Sequence, residues 1–344
     1  MTMPVRDDED PSAARSGDGS SGTGAPMAGS SGRSRSTVIR VVFLLAVVAF
    51  AAWAIVKERH SLAQAWDKVE LLPVLVALLL SIVGAFSGFP QWRVLLAGLG
   101  SDIRMRPASK IFFIGQLGKY IPGGVWNIVA QATMARELKV PRARTGAAGL
   151  LAIVVALPVV GAMAAVTLAI SGREVLGAYW WTLLLVVPLL AFLQPDVLVR
   201  LAAFAARITR RSIPLERVPG RNIAEATAWT AFGQIISGLS LMFLVAMFTG
   251  SYPSPLLCIG IYSLGLLAGM LVVLAPAGAG AREAVIALGL SPYMEHGAAL
   301  LVALLARVLT IGADATLAGA AALVGQRAPS APGGVGAASA GERG

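Results

Sequence analysis

A run of about 20 apolar residues can bury its surface only in lipid or in a large core, and this sequence carries such runs one after another. They cover residues 38–56, 71–99, 146–170, 179–193, 223–248, 255–275 and 296–324. Over 344 residues the chain is 56% hydrophobic and 13% charged, with a mean hydropathy of +0.75, too apolar for a soluble domain of this size. The pattern predicts an all-α polytopic integral membrane bundle of about seven or eight transmembrane helices. The run at 179–193 is short for a straight span.

One stretch breaks the pattern. Gly115 to Gln131 reads GQLGKYIPGGVWNIVAQ, with glycines and a proline interleaved with Gln116, Lys119, Tyr120, Asn127 and Gln131. Lipid cannot hydrogen-bond an opened backbone, so such a stretch is tolerated only where protein or a wet cavity shields it. Polar groups held at that depth mark a candidate site.

The formal net charge of +10 would suit nucleic acid, but the basic residues fall in the short gaps between apolar runs. Cytoplasmic loops concentrate Lys and Arg there, so topology accounts for the charge and no nucleic-acid partner is expected. Arg104, Arg106 and Lys110 precede the broken stretch, and Arg136, Lys139, Arg142 and Arg144 follow it. With both flanks cytoplasmic, residues 111–135 enter and leave on one side as a re-entrant hairpin turning at Ile121, Pro122, Gly123 and Gly124. Arg200, Arg207, Arg210, Arg211, Arg217 and Arg221 continue the cytoplasmic pattern, and 196–211 reads as an amphipathic interfacial helix. The loops at 57–70 and 249–255 then lie outside. Residues 1–36 and 326–344 have the composition of disordered tails, leaving 37–325 as the membrane domain. The run at 38–56 is read as an uncleaved first helix rather than a signal peptide, because the polar region before it is long for one. That reading places the N-terminus in the cytoplasm. Pro90 frees a backbone carbonyl near the end of the second run, where Trp92 and Arg93 suit an interface.

A second broken segment runs from Ala275 through Pro276, Ala277, Gly278, Ala279 and Gly280 to Arg282 and Glu283. Paired Gly/Pro-interrupted segments in two halves point to a binding site in repeat-built transporters. A hairpin at 276–296 would put the C-terminus outside, and a crossing would put it inside.

Each candidate group has two readings. Lys119 meets a lipid phosphate, helped by the Gly123 and Gly124 N–H groups, or snorkels to the surface. Asn127 and Gln131 share a helix face and line a head-group path or bond a neighbouring helix, the second being favoured. Glu283 serves a substrate or complements the dipole of the helix it begins. Arg307, Thr310 and Asp314 share one face of the last helix. Arg307 and Asp314 are about 10.5 Å apart in rise, so each should have its partner on another element. Glu283 is the nearest acid to Arg307 in chain order. Thr230, Gln234 and Ser237 form a polar stripe suited to interhelical hydrogen bonds. The single cysteine, Cys258, permits no internal disulfide and no Cys-based metal cluster, and nothing suggests a metal, cofactor, nucleotide loop or nucleophile with its base.

Two patches, Gly118-Lys119-Tyr120-Ile121-Pro122-Gly123-Gly124 and Pro276-Ala277-Gly278-Ala279-Gly280 with Glu283 beyond, resemble the transmembrane, flippase-like domain of lysylphosphatidylglycerol synthases. That domain occurs in the multiple peptide resistance factor and in stand-alone homologues, and the resemblance extends over about residues 38–325. In the family the second patch usually reads Pro-x-Pro-Gly-Gly-x-Gly followed by Glu. Here alanines take some of those positions and Arg282 precedes the acid, a departure that bears on substrate identity rather than fold. The resemblance implies a bundle with internal re-entrant segments and movement of aminoacylated phospholipid between leaflets. The aminoacyltransferase domain of the full synthases is not expected here, since only GQRAPSAPGGVGAASAGERG follows Val324, so the chain is not expected to be an enzyme.

The expected function is therefore a lipid translocase-like protein of the cytoplasmic membrane, with membrane lipids, anionic or aminoacylated, as its ligands. A non-transporting subunit that supports a separate lipid-modifying or glycosyl-transferring enzyme is the alternative. The expected substrate-binding residues are Lys119, Tyr120, Pro122, Gly123, Gly124, Asn127, Pro276, Gly278, Gly280, Glu283, Arg307 and Asp314.

Overall fold

Glycine and proline mark several of the helix ends among the described residues. A computed structural model describes residues 66–121, 125–171, 218–272 and 275–326, all within the unit Arg40–Gly344. The runs at 38–56 and 179–193, the 196–211 segment and most of both tails lie outside the described residues, as do Pro122, Gly123 and Gly124. The described residues are helical apart from short turns, with no strand among them.

Helix α1 covers Leu71–Phe86 and α2 covers Gly88–Gly98, together one apolar span of 28 residues interrupted at Ser87. Pro90 has no N–H to return to the last turn of α1, and the Ser87 hydroxyl donates to the Gly84 carbonyl at 2.7 Å. Helix α3 follows at Met105–Gln116, continues as a 3-10 turn at Leu117–Tyr120, and is followed by α4 at Trp126–Met134. Helix α5 runs Arg142–Ser171 straight through Pro158, and α6 runs Gly220–Thr249. Helix α7 covers Pro255–Leu271, with proline at a first-turn position where its missing N–H costs nothing. After a 3-10 turn at Pro276–Gly278 come α8 at Ala281–Leu290 and α9 at His296–Gln326. Among the described residues, the α1–α2 pair, α5, α6 and α9 are long and apolar enough to cross a membrane.

Helices α3 and α4 form an antiparallel hairpin. A Cβ at Gly115 would meet Gln131 and one at Gly118 would meet the Asn127 backbone, so the two backbones approach closely with pairings that run in opposite directions. With 12 and 9 residues, the arms reach only about 18 and 14 Å against a hydrocarbon core of about 30 Å. The hairpin leans on α2 through Phe89, Trp92, Phe112 and Phe113, whose rings lie 5.3 to 5.9 Å apart. Trp92 is accordingly 1% exposed, and its expected place at an interface is corrected: it faces α3, inside the protein. Arg93 does sit near the surface, held by Asp102 at 3.1 Å.

A second antiparallel hairpin is built from α7 and α8. Gly265 faces Ile286 and Gly269 faces Arg282, again in opposite order. A hairpin confined to 276–296 is one of two arrangements left open by the sequence; the hairpin begins earlier, with α7 as its first arm. Both α7 and the 71–99 run look alike in sequence, but the positive-φ residues after Leu271 turn the chain back.

The hairpins point toward each other. The end of α9 at Val324 lies beside Arg104, Met105 and Leu138 at the base of the first hairpin, while its start at His296 follows the second. Helix α5 likewise leaves the base of the first hairpin and ends with Thr167 and Leu168 against Gly260 in α7. The 3-10 turns at the two tips touch, and the first tip also touches α9. Among the described residues, the end holding the base of the first hairpin carries Arg104, Arg106, Lys110, Arg136, Lys139, Arg142, Arg144 and Arg221. The other end carries, among the described residues, Asp67, Lys68, Glu70 and Glu295 and no arginine.

Candidate functional site at the meeting of the two hairpin tips

Charged side chains gather where the two tips meet α9. Ordinary apolar packing would exclude them, since a charge withdrawn from water must be paired or neutralised. Lys119, in the last residues of the first tip, places its Nζ 2.7 Å from Asp314 Oδ2 on α9. The neighbouring Tyr120 hydroxyl donates to the same oxygen at 2.5 Å. Asp314 is buried, and the Lys119 side chain is about a quarter exposed. The bare snorkelling reading of Lys119 therefore gives way to a buried ion pair joining the first hairpin to α9.

The second tip is tied to α9 two turns earlier. Arg307 Nη1 donates to the Ala277 carbonyl at 2.9 Å and lies 3.5 Å from Glu283 Oε1. Glu283 uses its other oxygen, Oε2, to accept the Gly280 backbone N–H at 2.6 Å, closing the start of α8. The helix-start reading of Glu283 therefore holds, and the expected pairing with Arg307 holds beside it. Oε1 has no hydrogen-bond donor among the described residues, so the approach of Arg307 is an ion pair without a hydrogen bond at that atom.

Arg282 and Tyr262 were not among the expected site residues. Arg282 is 6% exposed, its guanidinium 4.6 Å from the Tyr262 ring centre and 3.5 Å from the Thr310 hydroxyl. No carboxylate lies within 4 Å of it among the described residues. A cation stacked on an aromatic face is stabilised, more so when both are out of water. The signal available in sequence was a second arginine in the apolar second half; Tyr262, within an apolar run, gave none. Arg307 also lies 5.8 Å from the Tyr120 ring, so Tyr120 bridges the two ion pairs. Among the described residues, three cations and two carboxylates share the junction, a formal excess of one positive charge.

The backbone of the second tip is unusual. Ala277 has φ +48°, Gly278 +68° and Gly280 +87°. Ala277 stands where the resembling pattern carries glycine, and an L side chain in that region is strained. Pro276 is placed in the turn by its backbone.

Other expected residues fall outside the charge cluster. Asn127 Nδ2 reaches Gln116 Oε1 at 3.4 Å and Gln131 is buried against Gly115, which is the helix-bonding alternative. Gln234 accepts from Ser263 at 3.3 Å, and Thr230 returns to its own helix at Ala226. Among the described residues no three His, Cys, Asp or Glu side chains come together to hold a metal.

The family model described as the lysylphosphatidylglycerol synthase TM region matches residues 37–319. The chain belongs to that family. No curated protein matches it. Membership in the lysylphosphatidylglycerol synthase TM region family takes in both hairpins, the junction and the whole of α5 and α6, and it agrees with four membrane-capable helices among the described residues.

Proposed function

We propose that this chain moves a phospholipid or lipid-linked head group across the cytoplasmic membrane, and that it does so without chemistry of its own. The observation that carries this reading is the pair of opposed hairpins whose tips meet at buried ion pairs. Interrupted helices that end at mid-depth leave polar backbone and charges where a head group has to pass, the arrangement transporters use at their binding sites. In the proposed orientation the basic end faces the cytoplasm, so the first hairpin is re-entrant from inside and the second from outside. Helix α9 then brings the C-terminal end of the described residues to the cytoplasmic face. The partners are membrane lipids.

The test is a strain lacking the chain, in which outward-facing and total lipid are measured together. The leaflet distribution of a phospholipid class should change while the total amount of each lipid stays constant. A changed total composition would mean an enzyme or a subunit of one. An unchanged distribution for every class would reject translocation.

A further inference from the structure

At the basic end, a cleft of about 500 Å³ opens between the start of α3, the end of α4 and the end of α9. That volume is in the range of small-ligand sites. Arg104, Arg106, Lys110 and Glu137 face it, a local excess of two positive charges. None of the three cations has a carboxylate within 4 Å among the described residues. Beside them are Met105, Leu138 and Val324, which are 55%, 39% and 44% exposed. Unpaired cations at the rim of an apolar surface suit a ligand that is itself amphipathic: an anionic head group on an acyl chain.

The position adds to the case. Lys110 and Lys119 are both on the first arm and its tip, nine residues or about 14 Å apart in rise. Val324 and Asp314 are ten residues apart on α9, about 15 Å. The cleft and the Lys119–Asp314 pair therefore lie at the two ends of one seam, along which α3 packs on α9.

We propose that this cleft holds an anionic phospholipid of the leaflet at the basic end, with its phosphodiester among Arg104, Arg106 and Lys110 and its chain against Met105, Leu138 and Val324. A zwitterionic head group carries a cation that offsets its own phosphate, and one carrying an added amino acid brings positive charge to a positive cleft. The cleft thus selects the unmodified anionic lipid over the aminoacylated one. Naming the leaflet as cytoplasmic rests on the topology proposed above, whereas the binding itself does not depend on translocation.

The test uses the full chain in neutral detergent, with lipid retention followed by native mass spectrometry. Phosphatidylglycerol should be retained in preference to phosphatidylcholine and to lysylphosphatidylglycerol. Each of Arg104→Gln, Arg106→Gln and Lys110→Gln should weaken phosphatidylglycerol retention by about five-fold. Glu137→Gln should strengthen it, a gain that a misfolded protein cannot give. Equal retention of the three lipids, native retention by the triple Gln variant, or displacement by water-soluble glycerol phosphate as readily as by lipid would each overturn the proposal. So would saturation of the site by a soluble acidic peptide that excludes lipid.

Discussion

Replacing Lys119 by methionine should destabilise the protein by about 3–5 kcal/mol, because it leaves the buried Asp314 carboxylate with Tyr120 as its remaining donor. Adding Asp314→Leu should restore most of that loss, since two well-packed apolar groups avoid the cost of an isolated charge. Unfolding midpoints in detergent would measure both. Losses that simply add would mean that the pair is solvated and its members independent. The Glu283 and Arg307 pair should behave differently. Glu283 also receives the Gly280 N–H and Arg307 also donates to the Ala277 carbonyl, so the double alanine variant loses two backbone contacts and stays well below the native protein. Its single variants should still interact, with a combined loss smaller than their sum.

Gly278→Val should open the second hairpin and abolish function while the protein still reaches the membrane. A side chain there meets two obstacles at once: φ is +68°, and its Cβ would lie 2.7 Å from the Gly269 carbonyl on the facing arm. Gly250 offers the internal comparison. Its φ is +72° with nothing within 4 Å, so Gly250→Ala should cost only the conformational strain, roughly 1–2 kcal/mol. In the opposite direction, Ala277→Gly should raise stability by about 1 kcal/mol by relieving φ +48°. Equal midpoints for Gly278→Val and Gly250→Ala would show that the closeness of the two arms does not matter.

How much of this was legible in the sequence follows from how rare charge is in lipid. The two broken segments stood out because glycine, proline and Lys119 interrupt apolar runs. Arg307 found Glu283 because few acids were within reach, and Asp314 was rightly denied Arg307 by helix rise. Its actual partners, Lys119 and Tyr120, are 195 and 194 positions away, a pairing that depends on how α9 crosses the first tip. Arg282 was overlooked because it stacks on an aromatic ring, and no acid in the sequence announces such a partner. Trp92 was misplaced since the same amphipathic ring serves a membrane interface or an aromatic core, and only the position of α3 chooses. The extent of the second hairpin stayed open for a related reason. Helix α7 has 17 residues, nearly a span, and nothing in its composition says that it turns back.

In the proposed topology two hairpins enter from opposite faces and meet. Single cysteines at the exposed positions Asp102, Lys139, Ser251 and Glu295 test it, in a protein whose native Cys258 is fully buried. In intact cells a membrane-impermeant thiol reagent should reach Ser251→Cys and Glu295→Cys and spare Asp102→Cys and Lys139→Cys until the membrane is opened. Labelling of Asp102→Cys and Lys139→Cys from opposite sides would make the first hairpin a full crossing, and opposite sides for Ser251→Cys and Glu295→Cys would do the same for the second. Either result would rule out two opposed re-entrant hairpins.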